Sequence, residues 1–524
     1  MTGRRALLAG AAGLPLLARA AAAQVVSLDM PPARFPVKLD DSLAPGYRRE
    51  VLVRWGDRVT FDARAWDPRR PTAEAASTQF GWDGRICGMV LSPPGADGLS
   101  RGVLAVAHPT VDPAMVFPDG RDRPAVSAQL QGASLLNIEK QGGRWVVVDG
   151  GYQSRRLGGD TLCRLTGPGS EAVGTAIQGL LGLSGGCATP WGTLLLAEDD
   201  PAPWVARLSR LDPRFADGTR FGWVAELDAL DPASVPAKRT ALARFPRGDV
   251  AAALTRDGRA VVYLSDHRAF GFLFRFVSAG PATEPDALDR GTLFAARATR
   301  QGIAWEALPA GAETALNPIA AAGQAGATAF DLPAGLVVEP RSGRLYLACK
   351  GNAARRPDQV DALNPRAGSN AGQILEIIPA GGDHGAATAA ASILLLGGVP
   401  RPGAGAWPES PATLSVDAGG RLWIGTDHDG RVGAQPDILF GCDSEGPGKG
   451  FALPLYGAPR GAAIGGAAMS PDGLALFALV RTPGAEPGAS FDRPGTRWPA
   501  FDPAIPPRST LVTLLRENGG RVGG

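Results

Sequence analysis

Gly420-Arg-Leu-Trp-Ile-Gly-Thr-Asp427 is a glycine-centred turn, a short run of apolar β-formers and a polar end. The same sentence is written again as Gly192-Thr-Leu-Leu-Leu-Ala-Glu198, Gly258-Arg-Ala-Val-Val-Tyr-Leu-Ser-Asp266 and Gly343-Arg-Leu-Tyr-Leu-Ala-Cys349. Gly473-Leu-Ala-Leu-Phe-Ala-Leu-Val480, Gly143-Arg-Trp-Val-Val-Val-Asp149 and Gly102-Val-Leu-Ala-Val-Ala-His108 complete the series. Copies of one strand unit at irregular intervals of roughly 40–85 residues suit the blades of a β-propeller, which bury one another by stacking. The expected fold is all-β, a propeller of six or seven blades. A two-sheet sandwich is the competing architecture, but sandwiches seldom need so many spaced copies.

The rest of the chain agrees. Of 524 residues, 44% are hydrophobic and 20% charged, enough for a large core. The 71 glycines and 46 prolines fall mainly between the apolar runs, where turns belong. The Ala- and Pro-rich segments Ala279–Ala287, Pro309–Ala329 and Pro402–Pro411 read as loops between blades, and Glu171–Leu183 as a short helical stretch. A net charge of +2 with interspersed signs forms no basic stripe, which argues against a nucleic-acid partner. Five scattered cysteines with no C-x-x-C spacing allow at most two disulfides and give no zinc ribbon.

At the N-terminus, Arg4-Arg5 precede an apolar stretch from Ala6 to Ala18 and the small-residue run Ala20–Ala23. This is a signal peptide over residues 1–23, and the paired arginines followed by Ala6-Leu7-Leu8 match a twin-arginine export signal. The mature chain, residues 24–524, then forms a single propeller domain. It is expected in the periplasm or outside the cell, monomeric and without a membrane span.

Polar strand ends far apart in sequence can meet at one mouth of a propeller. The candidates are His108; Glu198, Asp199 and Asp200; Asp266 and His267; and Asp427, His428 and Asp429. Carboxylates and imidazoles gathered this way suit a metal site or a cation pocket. The plainer alternative is that each caps a turn.

These strands carry a resemblance. Pro45-Gly-Tyr-Arg-Arg-Glu-Val-Leu-Val-Arg-Trp-Gly-Asp57, Gln79-Phe-Gly-Trp82, Thr189-Pro-Trp-Gly-Thr193 before Glu198, Asn364-Pro-Arg-Ala367 and Ser470-Pro-Asp-Gly473 occur in order. In this series the chain resembles the PhoX-type secreted alkaline phosphatases. The resemblance implies a six-bladed propeller whose mouth holds iron and calcium and hydrolyses small phosphate monoesters, the cations neutralising phosphate oxygens and activating the nucleophile.

The chain departs from that pattern in one direction. His108 keeps its place, but Ala107 and Pro109 replace the family's Asn and Glu. Arg85 stands where an acid is expected, Ser184 where a metal-bound Cys is expected, and Cys187 lies three residues later. Arg247-Gly248 replaces a His-Glu pair ahead of Asp257, and Ala334, Ala463 and Thr482 stand at further ligand positions. The metal site therefore reads as degenerate. Three functions remain open: a phosphatase with re-routed ligands, including Asp249 and Asp429; a ligand- or partner-binding propeller; and another propeller enzyme of lactonase or sugar-oxidoreductase type. Gly446-Pro-Gly-Lys449 lacks the Ser/Thr of a P-loop and reads as a turn.

Overall fold

The computed structural model describes residues 27–93, 95–398, 407–430, 433 and 435–524; the expected signal peptide, residues 1–23, lies outside them. The strands form six blades around one axis, antiparallel except that Ala237–Arg239 pairs parallel with Leu162–Thr166 in the outer part of the second. From the axis outward, the first comprises Arg85–Leu91, Arg101–His108, Gly132–Gln141 and Arg144–Val147, and the second begins Leu183–Ala188, Leu194–Glu198, Val224–Leu227. The third comprises Arg247–Leu254, Arg259–Asp266, Leu273–Pro281 and Gly291–Thr299; the fourth Pro333–Val338, Leu345–Cys349, Gln373–Pro379 and Thr388–Leu396. The fifth comprises Pro411–Val416, Leu422–Thr426, Ile438–Cys442 and Ala452–Gly457, and the sixth Ala463–Met469, Ala475–Arg481 and Thr510–Arg516. Each innermost strand touches the next, and Ala463–Met469 returns to Arg85–Leu91, so the ring closes with six blades and not seven.

The circle is fastened by the start of the chain. Tyr47–Arg54 pairs antiparallel with Thr510–Arg516 as the outer strand of the sixth blade, and Ser42–Leu43 adds to the outer edge of the fifth. Between the third and fourth blades, Gly302–Ala307 pairs with both outer edges and joins them into one nine-stranded sheet. Both devices cover strand edges that would otherwise be open to other chains.

Six of the seven buried clusters lie between neighbouring blades. Alternate residues of one strand serve two of them: Leu194 and Leu196 face the first blade, Leu195 and Ala197 the third. Burial on both faces explains why the recurring unit is a continuous apolar run without polar alternation. In six of the seven copies that unit is the second strand of its blade, one step from the axis; Gly143–Asp149 instead supplies the outer strand of the first blade.

The innermost strands are built from small residues because they crowd. A Cβ added to Gly248 would lie 2.8 Å from Ala334 Cα, and one on Gly465 would lie 2.3 Å from Gly84 O. The seventh cluster gathers Trp55, Trp82, Trp204 and Trp223 with residues from the helices Pro113–Val116, Pro124–Leu130 and Ala202–Leu208.

Three local expectations need correcting. Within Glu171–Leu183 only the residues to Val173 are helical, since Gly174 interrupts with φ 104° and the strand Ala176–Gln178 follows. Ala279–Ala287 lies inside the third blade: its first three residues end the third strand and the rest turn toward the fourth. Pro309–Ala329 does join two blades, but carries the helices Ala312–Leu316 and Pro318–Gln324. All five cysteines are free thiols.

Candidate site at the propeller mouth

In every blade the first residues of the innermost strand pair with the last residues of the second. The partners are Arg85 and Ala107, Leu183 and Glu198, Arg247 and Asp266, Pro333 and Cys349, Pro411 and Thr426, Ala463 and Arg481. The polar strand ends therefore share one mouth. Four of the six non-glycine residues with positive φ among the described residues, Leu332, Ser410, Asp429 and Thr482, flank these same strand ends. Backbone held there is strained and needs surrounding structure to keep it.

At the axis, Arg85 of the first blade reaches Asp249 of the third, Nη2 to Oδ2 at 3.2 Å, and also donates to the Ala412 carbonyl of the fifth at 3.1 Å. Asp249 accepts further bonds from the amides of Gly186, Val250 and Leu336 at 3.1, 3.0 and 3.2 Å. This one pair thus ties together the first five blades. Burial raises the Asp249 pKa, against the opposing pull of Arg85 and the three amides.

A second chain of charges crosses the remaining arc. Arg481 donates from Nε and Nη2 to both oxygens of Asp83, at 2.9 and 2.8 Å, and from Nη1 to Asp427 at 3.0 Å. Asp427 also lies 3.7 Å from Lys350 Nζ, and Lys350 continues to Asp429. Burial would raise the Asp427 pKa, but the charges of Lys350 and Arg481 outweigh it and hold the carboxyl well below its ordinary range.

The other acids are equally engaged. Glu198 is fully buried, takes Lys238 Nζ at 2.9 and 3.1 Å, and accepts from the amides of Leu181, Gly222 and Trp223. Asp266 is held bidentately by Arg268 at 2.8 and 2.7 Å, and Asp331 accepts a single bond from Arg355 Nε. Asp200 is exposed and accepts from the Ala202 amide at 3.0 Å, a local turn ahead of the helix Ala202–Leu208. Asp199 and His267 face each other at 3.8 Å, each about one-third exposed, and are the least committed pair at the mouth.

Of the remaining candidates, His108 is buried between the Asp83 carbonyl and the Ser134 hydroxyl, and burial drives its pKa well below the usual value. His428 bonds Asp437 at 2.8 Å; burial opposes its protonation, but that carboxylate prevails and its pKa is raised. Ser184 donates to the Arg247 carbonyl at 2.7 Å. Cys187 packs between the second and third blades, and burial raises its thiol pKa. Arg247, wholly buried, gives its guanidinium to the carbonyls of Gly222, Leu242, Ala243 and Phe245.

The structure thus brings Asp249, Asp266, Asp427, Asp429, Asp199 and His267 to one mouth, while placing Asp200 in an exposed turn and Glu198 in an internal pair. Asp83, Lys350 and Arg481 were not among the sequence candidates. The signal for two of them was present: Lys350 and Arg481 occupy the position directly after the repeated strand, as Asp199 and His267 do. Among the described residues, no group of three or more His, Cys, Asp or Glu is arranged to hold a metal ion. No helix among them is long and apolar enough to cross a membrane.

The sequence profile described as alkaline phosphatase PhoX matches residues 35–484. Among solved structures, PhoX of Pseudomonas fluorescens, determined with the transition-state analogue vanadate, superposes with a TM-score of 0.85 at 29% identity. The match covers 95% of this chain and 100% of that one. A gluconolactonase from Xanthomonas campestris covers 83% of this chain and 94% of its own, at 12% identity and a TM-score of only 0.31. No curated protein matches the sequence.

Proposed function

Since the chain belongs to the PhoX alkaline phosphatase family, we propose that it is an exported member that meets small phosphate esters at the propeller mouth without hydrolysing them by iron–calcium chemistry. On this reading it acts as a monomer in the periplasm or outside the cell, after removal of residues 1–23.

One observation carries the reading. Five buried carboxylates at the mouth already face a tethered cation: Asp249 faces Arg85, Asp83 faces Arg481, Asp427 faces Arg481 and Lys350, Asp266 faces Arg268, and Asp331 faces Arg355. The residues present do not fit an iron–calcium cluster, which needs several carboxylates with oxygens open to the ions. A bound dication would have to displace these guanidinium groups or lie beside them against their repulsion. We therefore derive no reaction step through a metal.

The test is a metal analysis and a phosphatase assay on protein purified from an exporting host. The expected result is substoichiometric iron and calcium, with no turnover of a chromogenic phosphate monoester. Stoichiometric metal with turnover would instead favour a working hydrolase with re-routed ligands, for which the open Asp199–His267 pair is the one supporting feature.

A further inference from the structure

Residues 56–80 leave the outer strand of the sixth blade and lead toward the innermost strand of the first, with the bridge between Arg58 and Gln79 as their sheet pairing. They carry the short helix Ala73–Ala76, which packs against the helix Pro124–Leu130. Beside this contact lies a cavity of about 150 Å³, lined among others by Trp55, Trp66, Ala75, Gln79 and Leu130, with the exposed Arg70 at its rim. The two indoles meet edge to face, 5.3 Å between ring centres and 72° between planes. Trp66 is held firmly: a Cβ on Gly56 would lie 2.3 Å from its ring, and the Arg508 guanidinium sits 4.2 Å from its centre.

Gln79 and Trp55 are only 3% and 2% exposed, yet each keeps an unmet hydrogen-bonding group. Gln79 donates from Nε2 to the Arg64 carbonyl at 3.0 Å, so Oε1 is its free end, and no donor among the described residues reaches it. The Trp55 N–H likewise has no acceptor among the described residues. Neither atom is sealed in the interior, as the indole N–H groups of Trp145 and Trp498 are. The open space beside both residues is the cavity they line. Buried groups of these kinds are normally bonded, so an acceptor and a donor stand ready there.

At the rim, Arg64 is paired with Glu74 at 2.7 Å, and Asp67 accepts from the amides of Arg69 and Arg70 at 3.0 and 3.2 Å. The Arg70 guanidinium bonds no group among the described residues.

We propose that this cavity binds a phenolic carboxylic acid, with the hydroxyl innermost and the carboxylate at the rim. The volume matches one benzene-sized ring, and the indoles, Ala75 and Leu130 give that ring an apolar lining. A phenolic hydroxyl donates and accepts at once, so it can serve Gln79 Oε1 with its hydrogen and the Trp55 N–H with its oxygen. The carboxylate lies outside, where Arg70 offers a planar fork. Asp67 on the same rim opposes the second charge of a phosphate, which favours the singly charged acid. The lining shares no residue with the charge pairs of the propeller mouth, so the site goes beyond the function proposed there and stands without it.

The experiment titrates 4-hydroxybenzoate into the full mature chain by calorimetry. One site per chain is expected, with a dissociation constant of about 0.1–1 mM for a ligand of so few atoms. Benzoate leaves both buried groups unmet and should bind about tenfold more weakly. Arg70→Ala should weaken 4-hydroxybenzoate about fivefold and leave phenol unchanged. Ala75→Leu puts a good helix former on the short helix and fills the cavity, so it should abolish binding without lowering the unfolding midpoint.

No saturable binding of 4-hydroxybenzoate by the unaltered protein up to about 10 mM overturns the proposal. So does binding that survives in folded Ala75→Leu, which places the ligand elsewhere. Should Ala75→Leu fail to fold, Arg70→Ala decides, since it alters an exposed side chain that bonds nothing: equal effects on phenol and 4-hydroxybenzoate overturn the assignment. None of these results bears on metal or turnover at the mouth.

Discussion

The Arg85–Asp249 pair is where the axis of the propeller can be tested directly. Both side chains are about one-tenth exposed and 3.2 Å apart. Removing one partner of a buried pair costs about 3–5 kcal/mol, because the other charge is left without compensation. For Arg85→Met the lower end applies, since Asp249 keeps three amide donors. Loss of the donor to the Ala412 carbonyl adds about 1 kcal/mol. The expected destabilisation is therefore about 4 kcal/mol.

Asp249→Asn leaves Arg85 with neutral oxygens alone and no compensating charge, and should cost about 3 kcal/mol. The double variant removes both charges and should cost little more than either single change, giving a coupling of about 2–3 kcal/mol. Urea unfolding followed by tryptophan fluorescence, with unchanged slopes, measures all three. Single variants within about 1 kcal/mol of the parent, or strictly additive costs, would show that the pair does not clamp the blades.

Further outcomes follow from the same geometry. Glu198→Gln should cost about 3–5 kcal/mol by leaving the buried Lys238 charge uncompensated, whereas Asp200→Ala should cost at most about 1 kcal/mol for one exposed turn bond; urea midpoints separate the two. Burial lowers the His384 pKa from its ordinary 6.5 to about 4. The fold therefore favours the neutral ring, and its stabilising effect is present above pH 6.5 and lost as pH falls toward 4. The ceiling of that effect is about 3 kcal/mol, and His384→Gln should flatten this part of a midpoint-against-pH curve. Deleting the chain through Arg54 removes the outer strand of the sixth blade and should give aggregated protein by size-exclusion chromatography.

What could be read from the sequence, and what could not, follows from where the side chains lie. The second strands announce themselves because both of their faces are buried; Leu194 to Ala197 is apolar without a break for that reason. The innermost strands are almost silent. Leu183-Ser-Gly-Gly-Cys-Ala188 and Ala463-Ile-Gly-Gly-Ala-Ala-Met469 are composed for close approach, and glycine within a strand resembles a turn. The candidate acids were visible as strand ends, but their partners were not. Asp83 and Arg481 are 398 residues apart, and Arg85 and Asp249 are 164 apart. Only closure of the ring makes them neighbours, and no local pattern encodes it.

On the function proposed above, that distribution bears on how a metal-using scaffold could lose its metals and keep its shape. Carboxylates converging on a narrow axis repel one another, so a family built around such a cluster cannot discard its cations without replacing their charge. Arg85, Arg268, Arg355 and Arg481 each supply positive charge at a buried acid, from within the chain. A guanidinium meets the structural requirement well, since its fixed fork matches two carboxylate oxygens. It does not meet the chemical one. It remains protonated at any physiological pH, has no open coordination position, and cannot lower the pKa of a bound water as a metal ion does. A phosphate ester arriving at this mouth would find the three nitrogens of Arg481 that reach Asp83 and Asp427 already bonded. Charge balance can thus be inherited by arginine while activation of a nucleophile cannot, so the fold and the hydrolytic activity are free to part.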